Sequence, residues 1–196
     1  MIKGCSIRKA VISDAEKIHQ LAIESLDVSE VDSIDDLAWY IKNEYGLVAC
    51  HDEKIVGYLL MSQGSDTTGI TGSVYGKYHY IYWLVVNLKF RRLGIGQGLI
   101  DQALACCKKK YHVDNIYLYV RSKNVKAQAL YNKVGFKTVR TIENFYSKCT
   151  SSEIDHCYFM KKSISPPITT SSTSTTSLSS SSSSSLEEEE KKTTTF

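Results

Sequence analysis

The sequence predicts an α/β fold in which a mixed β-sheet is covered by helices. Segments typical of strands and of helices alternate along the chain in the order β-α-α-β-β-β-α-β-α-β-β. The strand segments are short runs rich in β-branched and aromatic residues, whereas the helix segments repeat apolar residues every three or four positions. The 196 residues are enough for one such domain and a tail.

The first half of the chain begins with a predicted strand at residues 5–9, which two helices follow. The first helix is predicted to begin in a capping box, with Ser13 as the N-cap and Glu16 three positions later. The second helix is assigned to residues 32–43, where apolar residues recur at helical spacing.

A predicted hairpin comes next, with strands at residues 47–50 and 55–61 joined by residues 51–54. Residues 62–78 are mostly polar and contain four glycines, so they are predicted to form one long loop. Loops of this length are uncommon inside a compact domain and are often functional. We therefore expect this loop to contribute to a site.

The second half is organised around a long predicted strand at residues 79–88. This strand leads into a glycine-rich turn and an amphipathic helix that ends near residue 110. The remaining segments are a strand at residues 116–120, a helix at residues 124–134, and closing strands at residues 136–146 and 154–160.

A change of composition at residue 163 predicts the end of the folded domain. Residues 3–162 form the domain, and residues 163–196 are almost all Ser and Thr before a short Glu, Lys and Thr ending. Such a segment buries too little apolar surface to offset its ordering entropy, so it is predicted to be a disordered tail. Residues 1–162 carry 22 basic and 17 acidic side chains. This mild excess suits a nucleotide phosphate and is too weak to indicate nucleic acid.

Three absences from the sequence bear on location and metal binding. No apolar stretch approaches the roughly 18–20 residues of a membrane-spanning helix, and residues 1–10 lack the apolar core of a signal peptide. The six cysteines are scattered without a C-x-x-C pair, which favours free thiols over disulfides or zinc. We expect a cytoplasmic protein, with the nucleus as the alternative, that binds neither metal nor membrane.

The strongest local signal is the turn after the long strand, where Arg91, Gly94 and Gly96 spell R-x-x-G-x-G. Glycines at a strand–helix turn let backbone N–H groups approach an anion, which the positive end of the helix also attracts. A P-loop is excluded because no Lys-Ser or Lys-Thr follows in register. A dinucleotide fingerprint is excluded because Leu99 stands where its third glycine would be.

Two blocks in this order resemble the GCN5-related N-acetyltransferase (GNAT) superfamily. R-x-x-G-x-G/A is the acetyl-CoA signature of that family, and residues 124–136 resemble its second block, N-x-x-A-x-x-x-Y-x-x-x-G-F, from Asn124 through Tyr131 to Phe136. The resemblance covers roughly residues 3–162 and implies the GNAT fold with acetyl-CoA as cosubstrate.

The resemblance also assigns roles to residues of the cofactor site. Backbone amides from Arg92 to Gln97 would bind the pyrophosphate, residues 84–86 would line the pantetheine arm as an extra strand does, and Tyr131 would protonate the leaving thiolate. The residues expected to bind the cofactor are Leu84, Val85, Val86, Arg91, Arg92, Leu93, Gly94, Ile95, Gly96, Gln97, Asn124 and Tyr131.

Further segments resemble catalytic subunits of protein N-terminal acetyltransferases, namely residues 80–86, 90–96, 115–121 and 144–146. In those enzymes an aromatic pair, here Phe145 and Tyr146, lies beside the substrate peptide, and we add Tyr82 to the expected substrate-binding residues. One branch uses a tyrosine at the position of Tyr80 and a histidine at that of Tyr119 as bases. This chain keeps the first and departs at the second, so Tyr80, Tyr119 and Tyr131 are its catalytic candidates.

The resemblance to that subfamily implies an α-amine acceptor, and the chemistry agrees. An α-amine has a pKa of about 7.7–8.0 against about 10.4 for a lysine, so it needs only a weak base. Two alternatives stay open: acetylation of a small amine such as a polyamine or amino sugar, and a non-catalytic subunit that binds acetyl-CoA. Protein N-termini, with an auxiliary or ribosome-associated subunit, are the expected partners.

Overall fold

The computed structural model describes residues 2–26, 31–65, 77–111, 113–145 and 156–164. The chain divides into two units, Met1–Pro166 and Pro167–Phe196. The second unit lies outside the described residues, as does the predicted Ser/Thr-rich tail from residue 165 onward. The domain boundary drawn at residue 162 therefore falls close to the end of the first unit.

The order of strands and helices is the order that the sequence predicts. The elements are β1 (Cys5–Lys9), α1 (Ala15–Ser25), α2 (Ile34–Asn43), β2 (Tyr45–His51), β3 (Lys54–Ser65), β4 (Lys77–Val86), α3 (Ile95–Tyr111), β5 (Asn115–Arg121), α4 (Val125–Lys133), β6 (Lys137–Ile142) and β7 (Cys157–Ser163). Short 3₁₀ turns at Ile12–Asp14 and Leu88–Phe90 precede α1 and follow β4.

The seven strands form one mixed sheet in the order β1-β2-β3-β4-β5-β7-β6. Every neighbouring pair is antiparallel except β4 and β5, which run parallel. That parallel contact consists of three residue pairs and ends where Ile81 faces Leu118. Because β4 continues to Val86 and β5 to Arg121, the two strands part beyond these pairs and leave a gap in the sheet.

Apolar side chains cover both faces of the sheet. On one face, α3 and α4 bury residues such as Leu99, Ile100 and Phe136 against the central strands. On the other face, α1 and α2 bury Ile18 and Leu37 in a second cluster. Helices on both faces hide the sheet from water, and burial on this scale dominates the stability of such folds.

A β-bulge at Tyr82 changes which side chains of β4 face each helix layer. Leu60 of β3 pairs with Trp83 and Met61 pairs with Ile81, so Tyr82 is the extra residue. Trp83 and Val85 consequently belong to the α1/α2 cluster, whereas Ile81, Leu84 and Val86 belong to the α3/α4 cluster. Simple alternation along β4 would not have predicted this change of face.

The predicted capping box at Ser13 is wrong. The helix α1 begins at Ala15 with Asp14 as its N-cap, and Ser13 lies inside the 3₁₀ turn. The buried Asp14 carboxylate instead accepts the N–H of Val11 at 2.9 Å and pairs with the Arg8 guanidinium at 2.6 and 2.9 Å. The hydrogen bond from Arg8 holds the pKa of Asp14 below its usual range. The ion pair with β1 thus competes with, and replaces, the local cap.

The predicted start of α2 is two residues early. Ser33 is the N-cap of α2 and accepts the N–H of Asp36 at 3.1 Å, so Asp32 lies before the helix. At α4 the expectations are confirmed, since Asn124 accepts the N–H of Ala127 at 3.1 Å and Gly135 ends the helix at φ = +93°.

The predicted loop at residues 62–78 is shorter than expected, because β3 and β4 continue into it. The strands pair as far as Ser65 and Lys77, with Gly64 opposite Tyr78, and residues 66–76 lie outside the described part of the chain. Cross-strand pairing extends the hairpin into a segment whose glycines and polar residues indicated a loop.

The strand predicted at residues 136–146 ends at Ile142, where a turn follows with Asn144 at φ = +55°. The last strand runs to Ser163 rather than residue 160, and the N–H of Ile164 bonds to the carbonyl of Asp114 at 2.7 Å. These contacts carry the folded domain slightly past residue 162.

No helix among the described residues is both long and apolar enough to cross a membrane. Within the same ranges, His, Cys, Asp and Glu side chains form no group of three that could hold a metal ion. The described cysteines are free thiols: Cys5, Cys50, Cys106, Cys107 and Cys157.

Candidate active site

The gap between β4 and β5 exposes backbone groups of β4 on the side away from β3. Asn87 donates its N–H to the carbonyl of Val56 on β3 at 2.9 Å. Because N–H groups alternate in direction along a strand, those of Leu84 and Val86 point into the gap. An extended chain placed there could pair with β4 as a further strand.

The turn after β4 leads into the start of α3, where backbone N–H groups could bind an anion. The chain passes through left-handed backbone at Arg92 (φ = +65°) and Gly94 (φ = +82°) before α3 begins at Ile95. Gly98 donates to Gly94 at 2.9 Å and so closes the first helical turn. The N–H groups of residues 95–97 have no intrahelical acceptor, and the positive end of the helix lies beside them.

Gly96 lets this helix end approach the gap closely. A Cβ at this position would lie 3.1 Å from Leu130 of α4 and 3.7 Å from Val86 of β4. The start of α3 is thus packed against both the edge of β4 and the helix that carries Tyr131. The second glycine of the motif therefore has a packing role, and the first supplies the left-handed turn.

The predicted cofactor ligand Arg91 uses its side chain to hold the turn in place. Its Nε donates to the carbonyl of Val86 at 3.0 Å, and its guanidinium reaches the carbonyl of Ser25 at 3.3 Å. Arg92 and Leu93 are exposed. Asn124 commits its side-chain oxygen to the cap of α4. The cofactor roles given to these residues stay predictions.

Tyr131 lies on α4, on the α3/α4 side of the sheet. It is 8% exposed and packs edge-on against Phe136 with the ring centres 5.9 Å apart. Burial raises the pKa of Tyr131 to about 12, because the phenolate would be poorly solvated there. The side chain is therefore a neutral phenol at physiological pH, which is the form that can donate a proton.

The predicted bases Tyr80 and Tyr119 meet on the opposite side of the sheet, among other aromatic rings. Their ring centres are 6.0 Å apart, and Phe145 stacks on Tyr119 at 5.4 Å with nearly parallel planes. The structure thus brings three sequence-predicted site residues together. Tyr146, the other member of the predicted aromatic pair, lies outside the described residues.

Burial raises the pKa of both catalytic candidates on this side. For Tyr80, a hydrogen bond with Ser62 partly opposes the effect of burial, and the nearby Glu44 charge adds to it. For Tyr119, burial is followed by the hydrogen bond to Tyr78, whose hydroxyl lies 2.8 Å away. Both phenols therefore stay neutral at physiological pH and can hold water or an amine by hydrogen bonds.

The substrate candidate Tyr82 points to a group that sequence reasoning missed. At the bulge, Tyr82 and Trp83 donate to the two carboxylate oxygens of Asp32 at 3.3 and 2.6 Å, and Tyr40 packs against Tyr82 with ring centres 4.7 Å apart. Helical periodicity predicts a helix start at Asp32, and the bulge brings Asp32 next to β4. The polar composition of residues 62–78 predicts a loop at Tyr78, although the spacing of Tyr78, Tyr80 and Tyr82 is a strand signal.

Comparison with known proteins identifies this arrangement. The model of the Acetyltransferase (GNAT) family matches residues 15–136, more than half of the chain. The matched stretch includes the glycine turn and the strands that border the gap. The chain belongs to the GNAT acetyltransferase family. It is therefore an acyltransferase, and the turn before α3 and the gap are its candidate active site.

Two curated relatives of this GNAT protein are N-alpha-acetyltransferases. The protein of that name from Saccharolobus solfataricus is 34% identical over 109 residues, which are 53% of this chain and 65% of the archaeal protein. N-alpha-acetyltransferase 50 of Danio rerio is 29% identical over 141 residues, which are 72% of this chain and 71% of the fish protein. The chain thus spans just under two thirds of the first relative's length and somewhat more of the second's.

Solved structures confirm the GNAT fold. Arabidopsis thaliana NAA60 in complex with a bisubstrate analogue has a TM-score of 0.70 at 19% identity, covering 81% of this chain and 97% of that one. Chaetomium thermophilum Naa20 in complex with a bisubstrate analogue has a TM-score of 0.67 at 22% identity, covering 81% and 86% respectively.

The glycine turn yields a prediction with a matched control. Gly94 (φ = +82°) and Gly4 (φ = +81°) have nearly the same positive φ, but Gly4 precedes β1 whereas Gly94 lies in the turn beside the gap. Alanine at either position should cost about 1 kcal/mol of stability through backbone strain. Only Gly94→Ala should weaken acetyl-CoA binding severalfold, measured by titration calorimetry, because only there does the strain move the amides of residues 95–97. Equal affinities in the two variants would contradict the assigned anion site.

Proposed function

We propose that this GNAT protein transfers the acetyl group of acetyl-CoA to the α-amine of protein N-termini, by direct attack within a ternary complex. The observation that carries the proposal is the pair of half-buried, neutral phenols, Tyr80 and Tyr119, at the gap. A neutral phenol does not act as a general base, so these side chains suit an acceptor amine of which a sizeable fraction is already neutral near pH 7.5.

The residues at the gap fit acetyl-CoA on two structural grounds. The unpaired amides at the start of α3 suit a pyrophosphate, and the free edge of β4 suits an extended amide chain such as the pantetheine arm. Residues 84–86 and 92–97 would hold the cosubstrate. Acetyl-CoA supplies an activated acetyl group as a thioester.

The two sides of the sheet divide the chemistry between them. The buried phenol of Tyr131 lies on the α3/α4 side, where it would donate a proton to the departing sulfur. Tyr80 and Tyr119 lie on the α1/α2 side, where they would orient the acceptor amine and a water molecule that carries its proton to solvent. The gap between β4 and β5 joins the two sides, so one thioester carbonyl would be reached from both.

The size of the pKa difference favours an α-amine over a lysine side chain. At pH 7.5 roughly a third of an α-amine of pKa about 7.8 is neutral, against about one lysine in a thousand. A site without a strong base would therefore discriminate by about two orders of magnitude before any binding contact is counted. Within the described part of the chain, Tyr119 contacts the rings of Tyr80, Phe145 and Phe159 and the hydroxyl of Tyr78.

The relatives support the same acceptor, since both curated proteins are named N-alpha-acetyltransferases and the two plant and fungal structures hold bisubstrate analogues. Phe145, which is 46% exposed and stacked on Tyr119, is placed to contact a peptide beside the amine. An auxiliary or ribosome-associated subunit and a cytoplasmic location remain predictions of the sequence.

A panel of acceptors tests the proposal directly. Acetyl-CoA is offered with short peptides that have free N-termini, the same peptides with blocked N-termini and an internal lysine, a polyamine and an amino sugar. Thiol release should occur with the free-N-terminus peptides and fall at least 100-fold with the blocked ones, because their lysine is protonated. Turnover confined to the small amines would contradict the α-amine assignment, and saturable acetyl-CoA binding without any turnover would favour a non-catalytic subunit.

The pH dependence of kcat/KM should show one rising limb near the pKa of the peptide α-amine and then stay level to pH 10. An acid catalyst is lost only above its own pKa, and burial raises the pKa of Tyr131 to about 12. An unshifted tyrosine, with a pKa of about 10, would instead halve the rate by pH 10.

The variant Tyr131→Phe tests whether the Tyr131 hydroxyl is the acid catalyst. It should lower kcat by about 100-fold, the lower end for loss of a general acid, with acetyl-CoA affinity unchanged. A rate equal to that of the unmodified enzyme would remove Tyr131 from the mechanism.

A further inference from the structure

Tyr78 stands at the start of β4, next to the described end of the β3–β4 hairpin, and faces the same side as Tyr80. Its hydroxyl oxygen lies 2.8 Å from that of Tyr119. Its ring lies 5.6 Å from that of Tyr80 and meets Tyr117 edge-on at 5.5 Å. The Tyr78 side chain therefore contacts both candidate bases and also Tyr117 on β5.

Gly64 of β3 faces Tyr78 in the strand register. A Cβ at residue 64 would lie 2.5 Å from Cζ of Tyr78 and 2.8 Å from its hydroxyl oxygen, closer than real Cβ contacts. The tyrosine hydroxyl thus keeps its place only because residue 64 has no side chain. Gly64 and Tyr78 form a cross-strand pair in which the glycine makes room for the ring.

We propose that Tyr78 is a positioning residue at the acceptor end of the site. Its hydroxyl orients the Tyr119 hydroxyl toward the acceptor amine, and the absence of a side chain at Gly64 leaves space for the Tyr78 ring. The inference deepens the proposed function and rests on it. The observations that carry it are the 2.8 Å hydroxyl contact and the space at Gly64.

The hydroxyl pair has a chemical consequence for Tyr119. A phenol has one hydrogen to donate and can also accept, and within the pair one hydroxyl donates to the other. Tyr78 takes one direction, and the Tyr119 ring stacks on Phe145 and packs at a tilt of 38° against Phe159. The Tyr119 hydroxyl then retains one defined direction for water or an amine. A histidine ring would have fixed positions for its nitrogens, and here the second phenol supplies the orientation instead.

The first test removes only the hydroxyl. Tyr78→Phe should lower kcat about fivefold, the effect of losing one orienting hydrogen bond, while the affinity for acetyl-CoA and the thermal midpoint stay unchanged. Tyr158→Phe on β7 is the matched control, since that side chain packs against the α3/α4 cluster, and it should leave kcat unchanged. A structural role alone would instead lower the thermal midpoint of Tyr78→Phe with no change in kcat.

A double-substitution cycle tests whether Tyr78 acts through Tyr119. If it does, the combined Tyr78→Phe and Tyr119→Phe protein should turn over no more slowly than Tyr119→Phe alone. Losses that multiply would show that the two hydroxyls act independently and would overturn the inference.

The second test keeps both hydroxyls and moves the ring. Gly64→Ala should also lower kcat severalfold and shift the Tyr119 Cζ resonance in ¹³C spectra. The control Gly46→Ala presses on the side chains of Leu60 and Ala10 outside the site and should do neither. An unchanged rate and resonance in Gly64→Ala would overturn the role of the pair.

The two hypotheses fail in different ways. If the unmodified protein acetylates small amines and no peptide, the proposed α-amine function fails, and the Tyr78 variants are then measured with the accepted amine. If the unmodified protein acetylates peptides and Tyr78→Phe matches it in kcat, only the inference about Tyr78 fails.

Discussion

The short parallel contact between β4 and β5 is the constraint on which the site depends. Three residue pairs join these strands, and beyond the pair of Ile81 and Leu118 they part. The bulge at Tyr82 immediately follows the last of these pairs and turns β4 away. If β4 and β5 paired along their whole length, the backbone groups of β4 would all be hydrogen-bonded within the sheet, and no space would remain for a ligand. The gap exposes the amides of Leu84 and Val86 while the antiparallel contacts on both outer sides keep the sheet intact.

The candidate catalytic residues lie on both faces of the sheet, and the gap is where the two faces connect. The glycine turn, the start of α3 and the buried Tyr131 lie on one side, where burial keeps the phenol protonated. Tyr80 and Tyr119 lie on the other, where burial also keeps them neutral. One physical effect, the poor solvation of a phenolate, thus suits Tyr131 to donate a proton and leaves the opposite pair to orient an amine that needs little help to lose its own.

Periodicity and turn chemistry predict most of the fold and the glycine turn of the candidate site. The alternation of segments predicts the element order, Asn124 and Gly135 predict the ends of α4, and the glycine motif predicts the start of α3. The features that periodicity and turn chemistry miss depend on contacts between residues that are distant in the sequence. The bulge at Tyr82 arises from register with β3, and the cap at Ser13 is replaced by an ion pair with β1. The hydroxyl of Tyr78 meets that of Tyr119, which lies 41 residues later in the chain. Local patterns carry no information on such contacts.

Residue-resolved amide hydrogen exchange, with and without acetyl-CoA, tests most directly whether the gap is the cosubstrate site. If the cosubstrate pairs with β4 and its pyrophosphate caps α3, exchange at Leu84, Val86 and residues 95–97 should slow by roughly tenfold or more. The amides of the outer strand β6 should not change. Saturation with acetyl-CoA that leaves Leu84 and Val86 exchanging at their original rates would contradict the account.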